Sequence, residues 1–263
     1  MSSNIRELKA NQVLNESWVA TYKKEIEVIW WQAYRFNINL FILNKISNFP
    51  FKTFDIPFNK SPFWRSVISS FVDTNVSIIW KIVCDNGRDV LTIRKLKNSI
   101  SANIINEDIK QQFYTSLRKN DFNKNVSELE TKVTEIRHNF LSHFIRDYNI
   151  IDKTSNQDII IKYSDLNEFS DEFEILFNLL NFNYAQSTKS TEDNSSFTDK
   201  NNTDVDKIFN GLVRNSEALN MKEQKPDDFE HWIKDISSKD LKIINDYRIK
   251  FNMSQIYRKE RKG

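Results

Sequence analysis

At 263 residues the chain is long enough to bury a real core in one large domain or two small ones. Three glycines and four prolines are too few for the turns of a β-rich fold, and the single cysteine, Cys84, excludes an internal disulfide and a cysteine-based zinc site. A net charge of +2 points neither towards nor away from a polyanion, so composition predicts an all-α protein and leaves function to its motifs.

The first predicted helix runs from about Glu16 to Lys45. Tyr22, Ile26, Ile29, Ala33, Phe36, Leu40 and Leu43 recur at alternating spacings of four and three, the seam of a bundle helix. Trp18, Trp30, Trp31, Tyr34 and Phe41 widen it, so cover on two sides is expected. "SNFPFKTFDIPFNKSP" interrupts, and its phenylalanines should pin it as a loop to the bundle. Ser61-Pro62 then reads as a helix start, a capping side chain before a proline in the first turn. Trp64, Ile68, Phe71, Ile78 and Ile82 line the second helix, Asn75 breaks the seam, and Asp85-Asn86-Gly87 ends it, with Gly87 free to take a positive φ.

Residues 91–119 read as one or two shorter helices. The next strong helix spans 123–147, with Leu129, Val133, Ile136, Phe140 and Phe144 as its buried stripe. The β-branched run at 159–161 suggests a short extended piece. Ser164 is a candidate cap for a helix lined by Leu166, Phe169, Phe173, Leu176 and Leu180.

"STKSTEDNSSFTDKNNTD" (187–204) has no aliphatic residue and reads as a polar linker or mobile loop. It divides a main bundle at 1–186 from a C-terminal helical extension at 205–263. Two helical patterns there, around 204–222 and 227–253, carry too little apolar surface to stand alone, so they should pack on the bundle or on a partner chain. The extension ends in "RIKFNMSQIYRKERKG" (248–263), which carries six Lys/Arg and one Glu. Such a tail attracts phosphate, and it is also an ordinary solvated terminus. No signal peptide is recognisable, and no run of about 18 apolar residues suggests a membrane span, so a cytoplasmic protein without membrane contact is expected.

"EIRHNFLSHF" (135–144) holds two of the three histidines. On a wheel of about 100° per residue, Arg137 and His143 fall roughly 60° to either side of the apolar stripe, while His138 points to water. Rim positions of this kind are held by packing yet reach solvent. An arginine and a histidine six residues apart form a weak motif alone, and a basic rim that packs its stems on the core has the same pattern. The histidines and the cysteine show no metal-ligand spacing. Ser142-His143 cannot be a nucleophile pair, because adjacent helix positions point apart. Asp171, Glu172 and Glu174 read as a wet helix face, and Trp232, beside His231, as core. Asp73 and Asn75, polar on the second helix, are candidates to face the motif.

"IRHNFLSH" resembles the signature of HEPN-domain proteins, and in particular their abortive-infection (AbiU-like) branch. "SPFWRSVISSFVDTNVSIIWKIVCDNGRDVLTIRKLKN" is similar to that branch's second helix with a following short segment, and "YSDLNEFSDEFEILFNLLNFNY" takes the place of its last helix. The resemblance covers roughly residues 15–185. It implies an up-and-down helical bundle and a metal-independent endoribonuclease acting on RNA, tRNA among the candidates, with Arg137 and His143 catalytic, His138 and Asn139 supporting, and no cofactor.

The residue types suit that chemistry. Histidine transfers protons near neutral pH, and arginine's planar fork grips phosphate without losing charge. One such pair per chain is sparse, so a homodimer joining two copies of the helix end is expected. The role implied is a toxin or phage-defence effector, silenced by a regulatory or antitoxin protein. Two other readings stay open: a non-catalytic module binding RNA, a nucleotide or a protein, and a plain interaction protein acting through its C-terminal helices.

Overall fold

The computed structural model describes residues 5–56, 61–147, 163–189 and 204–258; the side chains of residues 6, 136, 138–147 and 163–165 lie outside the description. The protein is all-α, 76% helix, with no strand among the described residues. Leu14 and Ile104 form an isolated antiparallel bridge. The expected extended piece at 159–161 lies outside the described residues.

A 3-10 turn (Ile5–Glu7) precedes α1 (Ala10–Val13), α2 (Glu16–Asn48), α3 (Pro62–Val83), α4 (Ile93–Ala102) and α5 (Glu107–Lys119). Then follow α6 (Phe122–Asp147), α7 (Tyr163–Leu180), α8 (Asp204–Arg214), α9 (Glu217–Gln224), α10 (Pro226–Asp235) and α11 (Ser238–Lys250). The chain divides into two compact units. One comprises Met1–Asn44 with Ser69–Asp199, the other Lys45–Ile68 with Lys200–Gly263, so both boundaries in the N-terminal half fall inside the long helices α2 and α3.

The first unit is organised by α2 and α7. All seven residues of the α2 seam are buried, as are Leu166, Phe169, Phe173, Leu176 and Leu180 of α7. Fully burying each such large side chain contributes about 1.5–3 kcal/mol before chain entropy is counted. Tyr22 is buried with its hydroxyl donating to the Leu180 carbonyl (2.9 Å) and accepting from the Phe182 amide (3.0 Å), and burial pushes that phenol far up. Asn37 donates to the Thr188 carbonyl (3.0 Å) and hydroxyl (3.0 Å) and accepts from Ser170 (2.5 Å). Thr188, fully buried, also donates to Glu174, so the polar segment that begins at Ser187 is still tied to the bundle through Lys189. Asn75 is buried on α3, accepting from Asn39 of α2 (3.0 Å), while its own Nδ2 has no partner among the described residues. A buried amide with one unused donor is costly, by about 1–3 kcal/mol.

The second unit explains how so few apolar residues in the C-terminal helices suffice. The aromatic loop after α2 supplies the missing surface. Phe49 stacks on Phe209 of α8 (4.1 Å between ring centroids), Phe51 packs edge-on to Trp64 (5.4 Å), and Phe54 meets Tyr247 of α11 (5.1 Å). Lys45 pairs with Asp206 (2.9 Å), and Thr53 donates to Asp240 (2.6 Å).

The two helical patterns expected there are four helices. Ser216 and Ser237 break them, each accepting a backbone N–H with its hydroxyl, from Leu219 (3.3 Å) and Asp240 (3.0 Å). On α8, Ile208 is 58% exposed, and Phe209 and Val213 are the buried residues. Trp232 is half-buried, and its neighbour Ile233 is the core residue of α10.

One further expectation is corrected. Neither described glycine, Gly87 or Gly211, has positive φ; after α3 the Asp85 carboxylate accepts from the Gly87 amide (2.8 Å), and that side-chain turn stops the helix instead. Among the described residues, α3 is long and apolar enough, by length and composition alone, to cross a membrane, and core helices pass the same test. It carries Arg65, Asp73 and Lys81.

Candidate functional site

Three contacts fix α6 against its neighbours. Cys84, just past α3, donates its thiol to the Glu130 carbonyl (3.6 Å). Arg94 of α4 makes a bidentate pair with Glu130 (2.9 Å for each bond) and reaches Ser127 (3.2 Å). Lys132 bridges to Glu168 (3.2 Å) and Glu172 (2.7 Å) of α7, and their hydrogen bonds raise the Lys132 ammonium above its ordinary value. Exposed pairs contribute little individually, but together they set the rotation of α6 between α4 and α7. That rotation puts position 137 against α3.

Arg137 is half-buried, and its guanidinium carbon lies 4.0 Å from the centroid of the Trp80 ring. Such a contact is worth roughly 0.5–2 kcal/mol, depending on how far water is excluded. A guanidinium laid on an indole face keeps its N–H groups directed outward in its own plane, where a phosphate can accept two of them. Arg137 makes no ion pair with any described residue. The Cys84 thiol beside it is pushed up to about 11, first by burial, with a lesser opposing influence from Arg137. Burial therefore favours the protonated thiol, the poorer nucleophile.

His138, Asn139 and His143 belong to α6, and their side chains lie outside the described residues. Helices α3 and α6 run antiparallel, since Cys84 meets position 130 and Trp80 meets position 137. Asp73 and Asn75 lie earlier on α3 than Trp80. Asp73 is half-buried, and burial raises its carboxyl above the ordinary value despite a hydrogen bond from Ser69. Asn75 is engaged by Asn39 and faces α2.

The remaining sequence candidates are occupied elsewhere. Asp171 pairs with Lys189, Glu172 with Lys132, and Glu174 accepts from the Thr188 amide (3.2 Å). His231 is exposed on α10. In the basic tail, Arg248 is wholly buried against Glu223, and Arg258 donates to the carbonyls of Ile233 (3.1 Å) and Ile236. Those two cations hold the second unit together, so only the remainder of the tail is left to attract phosphate. No three His, Cys, Asp or Glu side chains cluster in a metal-holding group among the described residues.

Trp80 is the residue that sequence reasoning missed. It sits off the apolar seam of α3, and a tryptophan at a seam's edge facing a rim arginine was the available signal. No protein-family model matches the chain, and neither does any curated protein or solved structure.

Proposed function

We propose that this protein is a metal-independent endoribonuclease of the HEPN type, its first unit being the HEPN-like bundle and α6 its catalytic helix. The observation that carries the proposal is the seating of Arg137 on Trp80, which holds a permanent cation at a half-buried rim without a described carboxylate to neutralise it.

In the reaction proposed, the 2′-hydroxyl of one nucleotide attacks the adjacent phosphorus. The 2′-O–P bond forms, the P–O5′ bond breaks, and the products carry a 2′,3′-cyclic phosphate and a 5′-hydroxyl. A base takes the 2′ proton and an acid supplies one to the departing 5′ oxygen. Histidine suits both tasks because its unperturbed pKa is about 6.5. His143 is the proposed proton-transfer group. Arg137 holds the phosphate and stabilises the charge gathered on it in the transition state. His138 and Asn139 support, and the half-buried Asp73 of α3 is the proposed group that orients the imidazole. Two copies of α6 in a homodimer would provide a base and an acid in one cleft. The role proposed is a cytoplasmic toxin or phage-defence effector, restrained by a protein partner.

A second reading, RNA or nucleotide binding without cleavage, rests on the same seat, because a guanidinium held on an indole can grip a phosphate whether or not a proton is moved. Incubating the purified protein with total RNA and tRNA in EDTA separates the two. Cleavage leaving 2′,3′-cyclic phosphate ends, lost in His143→Ala, supports the nuclease. Retained RNA with measurable binding supports the module.

A further inference from the structure

The outer face of α2 has no role in the reading above. Opposite the buried seam, Lys24, Val28, Trp31 and Arg35 follow at spacings of four, three and four, which places them in one stripe about 60° wide and roughly 16 Å long. All four are exposed, Trp31 to 51%. We propose that this stripe binds single-stranded RNA, with a base stacking on Trp31 and flanking phosphates held by Lys24 and Arg35.

Three observations point to that occupant. Trp31 is braced: its ring stands edge-on to Trp30 (4.9 Å, 76°) and to Tyr34 (5.6 Å, 90°), while Trp30 stacks on Tyr34 (4.9 Å, 17°) and donates its indole N–H to the Gln186 carbonyl (2.9 Å). An exposed aromatic fixed in this way loses little freedom when a base stacks on it. The charges are complementary to a polyanion: Lys24 and Arg35 make no ion pair with a described residue, and Lys23 lies alongside, over the Tyr184 ring (5.4 Å). Glu27, the exposed carboxylate beside them, accepts from the Tyr184 hydroxyl (2.6 Å). Finally, the apolar part is short. Val28 and Trp31 alone between cations are too little for a helix-in-groove partner, which needs several successive apolar anchors. A single strand offers both open base faces and phosphates, whereas a duplex hides its faces. The stacking does not depend on the cleavage reading; the choice of RNA over DNA rests on it.

The test is fluorescence anisotropy with a fluorescein-labelled oligoadenylate about a dozen nucleotides long, using full-length His143→Ala protein in EDTA so that the probe stays whole. Adding Trp31→Ala should weaken binding by roughly tenfold or more, and Trp31→Phe should retain most of it. Lys24→Glu with Arg35→Glu should weaken binding and flatten its salt dependence. Circular dichroism checks that each variant is folded. Equal affinity of Trp31→Ala and its parent, duplex binding as tight as single-strand binding, or tighter binding of the matching deoxyoligonucleotide would each overturn the proposal. So would a change in sedimentation with unchanged RNA affinity, which would make the stripe a self-association face. The two readings fail separately. RNA cleavage by the wild type with Trp31-independent binding removes this proposal alone, and Trp31-dependent binding without cleavage removes the nuclease alone.

Discussion

Replacing Arg248 by methionine keeps most of the stem's volume and deletes the guanidinium. That group has no exposed surface, yet it satisfies three partners: Nε donates to the Ser254 carbonyl (2.6 Å), Nη1 to the Leu219 carbonyl (2.5 Å), and both terminal nitrogens to Glu223. The variant leaves the carbonyl of the buried Leu219 without this donor, at about 1–3 kcal/mol, and that of the exposed Ser254 at less. Glu223 is half-exposed and can be rehydrated, so its loss adds less. The expected destabilisation is about 2–4 kcal/mol.

At about 4–8 °C per kcal/mol for a unit of this size, melting of the second unit should fall by roughly 15 °C. Urea titration followed by circular dichroism measures the free energy, and hydrogen exchange in α9 and α11 locates it. The Arg248 hydrogen bond is also the main cause holding the Glu223 carboxyl below its ordinary value. The resulting stability is complete above that ordinary value of 4.5 and is lost as pH falls through the depressed one; Glu223→Gln should abolish this acid limb. A methionine variant within 1 kcal/mol of the parent, or unchanged exchange in α9 and α11, would refute the reasoning.

Arg137→Ala and His143→Ala should each reduce RNA cleavage by on the order of 10²–10⁴ with the melting temperature nearly unchanged, read by gel assay and calorimetry. Instability with intact specific activity would make both residues packing elements. Trp80→Ala should raise KM for RNA by freeing Arg137, and Trp80→Phe, which retains a ring face, should recover much of the loss. Asp73→Asn should raise thermal stability at neutral pH and have little effect in acid. The folded-state value of Asp73 is raised, so its ionised form opposes folding once pH exceeds its unfolded value. Equal effects at both pH values would contradict that account.

The strongest periodicities were readable directly. The α2 seam and the α7 stripe are buried residue for residue, because uninterrupted apolar spacing leaves a long helix only one way to face a core. Positions set by a single polar bond were not. Ser216 and Ser237 look like ordinary surface serines until a cap is seen to split each C-terminal pattern in two. The end of α3 was assigned to Gly87, whereas an aspartate side chain does that work. Arg248 read as part of a solvated basic tail, since nothing local shows that Glu223, 25 residues away, neutralises it. At the candidate site, Arg137 was legible as a rim position. The indole beneath it comes from a helix more than fifty positions earlier, a pairing no local pattern encodes.

The second unit takes its core from segments about 150 residues apart in the chain. As the protein leaves the ribosome, Phe49, Phe51, Phe54 and Trp64 emerge long before Phe209 and Tyr247, their eventual ring partners. Through most of synthesis that cluster lacks the part of its core supplied by α8 and α11, the interval in which nascent chains aggregate or recruit chaperones. Truncation before α8 therefore does more than remove a tail: it strips the aromatic loop after α2 of both its ring partners, Phe209 and Tyr247.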